Sequence, residues 1–191
     1  MGWSKRYKYF KRLNKECGMF EAVFGWALLL FAPLVFAYAG SSDLFSMRIS
    51  NKVALVLLCA FPLFAWGVDM GVDDTLPHLW TALIVLGGCF ILWQVNAIGG
   101  GDAKFAAVAA LWLGPHMTIA FLALASIYGA ILAIFFLVVR SRPLPGAFTS
   151  IEWISRLYTN SRIPYGIALA ASGMHLYSGS DWMRQGIEML T

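Results

Sequence analysis

The chain has 191 residues, 60% of them hydrophobic and only 13% charged, with a formal net charge of +4. Soluble domains carry about a quarter charged residues, so the composition excludes an ordinary soluble domain and points to an integral membrane protein. The three cysteines, Cys17, Cys59 and Cys89, show no CxxC spacing, which speaks against a zinc site or a disulfide framework.

Residues 1–18 form the first unit. Lys5, Arg6, Lys8, Lys11, Arg12 and Lys15 lie between or beside Trp3, Tyr7, Phe10, Leu13 and Cys17, which recur at helical spacing. The pattern predicts a basic amphipathic helix in the membrane interface. Its charges suit lipid headgroups rather than nucleic acid. Residues 19–191 form the second unit, a membrane domain.

A membrane-spanning helix needs roughly 20 apolar residues. The apolar stretches predict spans over 19–40, 44–68, 79–98, 103–113, 116–139 and 163–179. The expected fold is therefore all-α, a polytopic membrane bundle of about six helices. The fourth span is short: 11 residues rise only about 16 Å, and Gly114-Pro115 then breaks it. One of its ends must then sit at membrane depth, where non-helical backbone survives only if buried in protein or lining a wet cavity.

Charge sets the expected orientation. The linkers after the first, third and fifth spans hold Arg48, Lys52, Lys104, Arg140, Arg142, Arg156 and Arg162, whereas the alternate linkers and C-terminus hold only Arg184. The positive-inside rule places the first set in the cytoplasm, together with Asp43 and Asp102. The N-terminal charges oppose this for six full crossings. Gly25 and Pro33 would permit a re-entrant or kinked first span. The segment 140–162, with a short amphipathic helix near 148–158, is expected on the cytoplasmic side as a membrane-resting element or a lid.

Two acids stand at the ends of apolar stretches. Asp102 follows Gly99-Gly100-Gly101, and Asp43 follows the first span. A charge near hydrocarbon costs about 3 kcal/mol or more, and three glycines let the backbone approach something closely. The plain reading of each acid is a helix N-cap. Taken together, they suggest a general acid/base pair that shares one proton. The ionised member would take a proton from water while the protonated member polarises a peptide carbonyl. Lys104 would either snorkel to headgroups or act on Asp102. His78, His116 and His175 are scattered, with His78 and His116 expected as solvated linker residues. The reading therefore expects no metal and no cofactor.

Gly99-Gly100-Gly101-Asp102-Ala103-Lys104 resembles the GxGDxK motif of type IV prepilin peptidases, a group of aspartic membrane proteases. The stretch from Asp43 to Asn51 is similar to that family's first motif, and Ile163-Pro164-Tyr165-Gly166 resembles its late Pro-Tyr-Gly element. The three occur in family order. The resemblance implies a peptidase of the bacterial inner membrane, with Asp43 and Asp102 as catalytic dyad and Gly99, Gly101, Lys104, Pro164, Tyr165 and Gly166 in support. It implies a prepilin-like substrate with a basic leader before a hydrophobic helix, cut on the cytoplasmic side. The chain looks like the short form used for tight-adherence (Flp-like) pili, without the cysteine-rich domain. The substrate helix is expected to pack against small residues at Gly87, Gly88, Ala106 and Ala110. The competing reading is a proton-coupled transporter subunit with Asp43 and Asp102 as relay carboxylates.

Overall fold

The computed structural model describes residues 18–141, 152–159 and 163–191. The basic segment 1–17, and 142–151 and 160–162 of the expected cytoplasmic linker, lie outside them. The described residues form helices and no strand: α1 Gly18–Ser46, α2 Asn51–Gly67, α3 Val72–Gln94, α4 Gly100–Arg140, α5 Glu152–Thr159, α6 Gly166–Tyr177 and α7 Asp181–Leu190. Three of them, α1, α3 and α4, are long and apolar enough to cross a membrane. The protein is an all-α integral membrane bundle.

Helix α1 runs unbroken through Gly25 and Pro33 for 29 residues, about 43 Å at 1.5 Å per residue. It is therefore not re-entrant. Its buried stripe steps through Leu28, Ala32, Phe36, Ala39, Gly40 and Asp43 at helical spacing. This corrects the expected second span, 44–68. The helix continues three residues past Asp43, and the break falls at Met47, whose φ is 52°. The Ser42 and Ser46 hydroxyls donate to the Arg48 carbonyl there, at 3.2 and 3.1 Å. Ser50 then N-caps α2, its hydroxyl accepting from the Lys52 N–H.

Helix α4 is two legs. As one straight rod its 41 residues would measure about 60 Å, twice the hydrocarbon thickness. Asp102 and Ser126 would stand about 36 Å apart on that rod, yet both line one cavity. The reversal is at Gly114, with φ 74° and ψ 178°, a conformation open only to glycine. Pro115 restarts the helix where its missing N–H costs nothing. That missing N–H would have bonded the Leu111 carbonyl. Instead His78 Nδ1 meets that oxygen at 2.7 Å, and Trp182 Nε1 donates to the Trp112 carbonyl at 2.6 Å. His78 is thus not a solvated linker residue; it sits half-buried on α3 and braces the turn.

The core lies where α1, α6 and the first leg of α4 meet. Phe36 packs edge-on against Phe105 and Tyr177, and the Tyr177 hydroxyl donates to the Leu28 carbonyl at 2.7 Å. Gly40 and Gly173 bring α6 close: a Cβ on Gly40 would lie 2.9 Å from the Ala170 Cβ. The last expected span, 163–179, is a 12-residue helix followed by α7, an amphipathic helix the apolar pattern did not announce. Helix α7 crosses α1 at the close pair Gly25 and Gly186.

Candidate active site

Three helix ends converge on the two acids. Asp43 stands in the last turn of α1 rather than at the start of the next helix, and is buried at 5% exposure. Its Oδ2 accepts from the Gly166 N–H at 2.7 Å, at the start of α6 rather than of α2. Asp102 occupies the third residue of α4, after the N-cap Gly99, and its carboxylate reaches back to the Gly99 N–H. That is one half of a capping box, since the glycine N-cap has no side chain to return the bond. Neither acid is the helix N-cap read from sequence: Gly99 holds that position in α4 and Tyr165 in α6, and Asp43 accepts instead from the first N–H of α6, 123 residues away. Each carboxylate faces the positive end of a helix dipole.

The two acids sit on elements that come together through Ile49 and Gly166. Ile49 lies between the elements that hold them. A Cβ on Gly101 would meet the Ile49 carbonyl at 3.1 Å, and one on Gly166 would meet Ile49 Cδ1 at 2.6 Å and Asp43 Oδ2 at 2.8 Å. Gly101 and Gly166 are therefore needed as glycines because the backbone of α4 and α6 comes down onto Ile49 and Asp43. Sequence reading did not single out Ile49; only its place in the stretch after Asp43 hinted at it.

The other residues of the expected site lie as follows. Pro164 is fully buried just before α6. The Tyr165 hydroxyl donates to the Ala125 carbonyl at 3.1 Å. Lys104 is exposed and donates to Asn51 Oδ1 at 3.0 Å. It ties the start of α4 to the start of α2 and forms no ion pair with Asp102 among the described residues. Trp153 of α5 packs edge-on against Phe45, and the Arg140 Nε–H donates to the Leu157 carbonyl at 2.8 Å. Those contacts dock α5 beside the end of α1 that carries Asp43.

Asp102 and Tyr165 form the polar side of a cavity of about 470 Å³ whose other walls include Val85, Gly88, Cys89, Ala106 and Leu169. The expected small-residue face is divided by the structure. Gly87 and Gly88 are exposed, with open space where a Cβ would be. Ala106 contributes to the cavity wall but is itself buried, and Ala110 is wholly in the core, so Ala110 offers nothing to a partner. No group of three or more metal-ligating side chains occurs among the described residues.

Residues 23–134 match the type IV leader peptidase family. The match covers more than half of the chain and includes both Asp43 and Asp102. The chain belongs to that family. Comparison with curated proteins and with solved structures gives no match. In this member of the family Asp43 stands in the last turn of α1 and Asp102 in the first turn of α4. The element around Pro164, Tyr165 and Gly166 lies beyond the matched segment, yet it supplies the N–H that Asp43 accepts.

Proposed function

We propose that this leader peptidase is an aspartic endopeptidase that removes the basic leader from prepilin-like precursors of the Flp or tight-adherence kind, at the cytoplasmic face of the bacterial inner membrane. The observation that carries the reading is that the elements holding Asp43 and Asp102, both inside the family-matched segment, converge on Ile49 and Gly166. The proton-relay reading has no comparable support, because the family is one of peptidases. Arg48, Lys52 and Lys104 lie at or near the same end, which supports a cytoplasmic site.

The chemistry needs no nucleophilic side chain and no cofactor. The ionised carboxylate of the pair takes a proton from water as the water oxygen bonds to the scissile carbonyl carbon. The protonated carboxyl gives its proton to the carbonyl oxygen. Collapse of the tetrahedral intermediate breaks the C–N bond: the departing nitrogen takes the proton held by the first carboxyl, and a hydroxyl of the intermediate returns its proton to the second as the carbonyl re-forms, which restores the pair. A glycine before the cut lets the substrate backbone reach the pair without a side-chain clash. The exposed Gly87 and Gly88 support docking of the substrate's apolar helix along α3, where helices approach closely.

The test is leader removal from a model precursor, a basic leader followed by an apolar helix, by the purified protein in lipid vesicles. The expected result is a leader-sized mass loss with a bell-shaped pH dependence. At low pH both carboxyls are protonated and no base remains; at high pH both are ionised and no acid remains. No cleavage of any such precursor, or a rate that rises with pH without falling again, contradicts the reading.

A further inference from the structure

We infer that Gly129, on the second leg of α4, is a positioning residue for Asp43, because its missing side chain is the slot for the Tyr165 ring that fixes the Gly166 N–H. This rests on the aspartic reading above.

A Cβ on Gly129 would collide with Cε2 of Tyr165 and lie 2.8 Å from its Cζ and 2.9 Å from its hydroxyl oxygen. The ring is therefore seated flush on the helix backbone, and its hydroxyl donates one turn earlier, to the Ala125 carbonyl. Tyr165 is the N-cap of α6, so the position of its ring sets where the first N–H of that helix points. That N–H belongs to Gly166 and donates to Asp43 Oδ2 at 2.7 Å. Gly166 cannot drift without consequence, since Ile49 and Asp43 already lie at contact distance from it.

Gly129 is buried in a regular helix and its φ is not positive. Nothing about the backbone demands glycine there, and alanine is the better helix former. The ring is the reason for the glycine. Gly129 touches no reacting atom; it acts through Tyr165 and Gly166.

The experiment measures leader removal from the model precursor by Gly129→Ala, with Tyr165→Ala, the double variant, and Asp43→Asn and Asp102→Asn alongside. Gly129→Ala is expected to lower kcat at least about tenfold with KM changed less than about twofold, since ångström-scale misplacement of a catalytic group costs up to about 100-fold. In the Tyr165→Ala background the added methyl should cost nothing further, because the ring it displaces is gone. Equal losses in both backgrounds would mean that Gly129 acts other than through the ring, and a merely structural role would cost folded protein without lowering the kcat of what folds. If Gly129→Ala does not yield folded protein, Tyr165→Phe decides: losing the bond to Ala125 should lower kcat with KM unchanged, and an unaltered kcat overturns the inference. Wild-type turnover by Gly129→Ala, or a loss that persists without the ring, also overturns it. Active aspartate variants would instead sink the dyad itself, so the two failures are separable.

Discussion

Replacing Asp43 or Asp102 by asparagine should each abolish leader removal while leaving the bundle folded. Asparagine keeps the size and one carbonyl oxygen of aspartate. In Asp43→Asn the amide oxygen can still accept the Gly166 N–H, and in Asp102→Asn it can still accept the Gly99 N–H. What an amide cannot do is exchange a proton at working pH. General acid–base groups contribute roughly 100- to 10,000-fold, and here both roles fall on the same pair. Either substitution is therefore expected to cost the whole of that factor. The measurement is the initial rate on the model precursor, together with a thermal melt in detergent to show that the fold is kept. If either variant turns over substrate at a rate near wild type, the pair is not the catalytic centre.

Gly166→Ala should be nearly as damaging, by crowding rather than by loss of a functional group. The added methyl would stand 2.8 Å from Asp43 Oδ2, 3.0 Å from its Cβ and 2.6 Å from Ile49 Cδ1. All three belong to buried, packed residues with little room to yield. Overpacking of this kind costs about 1–3 kcal/mol, a moderate loss of stability. The displacement of Asp43 is the larger effect and should lower kcat by about 100-fold. Gly18→Ala, at the open start of α1 where nothing lies within 4 Å of a Cβ, serves as the control and should behave as wild type. Full activity in Gly166→Ala would mean that the site tolerates a shift of Asp43, which the geometry does not allow.

Much of this architecture could be read from local signals. Gly114-Pro115 marked the reversal of α4, because a glycine with freedom of φ followed by a residue without an N–H is a strong break. The expectation that Asp43 works with Asp102 rests on their positions at ends of apolar stretches. Helix boundaries around Asp43 were harder. The stripe Leu28, Ala32, Phe36, Gly40 carries on to Asp43 at helical spacing, so the sequence held the signal that α1 includes this acid. The apparent apolar stretch from Leu44 onward masked it. Other features depend on contacts between distant residues and leave no local trace. His78 reaches the carbonyl freed by Pro115 from 33 residues away, and Trp182 reaches the next carbonyl from 70 away. Gly129 looks like any small residue in an apolar helix until the Tyr165 ring is found upon it. Lys104 pairs with Asn51 rather than acting on Asp102 because the starts of α2 and α4 lie side by side, which spacing along the chain cannot reveal.

The central claim is that Asp43 and Asp102 work as one proton-sharing pair on a peptide bond. Its most direct test is the separation of the two carboxyls in a structure of the protein holding an uncleavable precursor. The account predicts carboxyl oxygens within hydrogen-bond reach of each other or of a single shared water beside the scissile carbonyl, since general acid–base transfer needs contact or one intervening water. Carboxyls more than about 10 Å apart in that complex, with no water joining them, would contradict it.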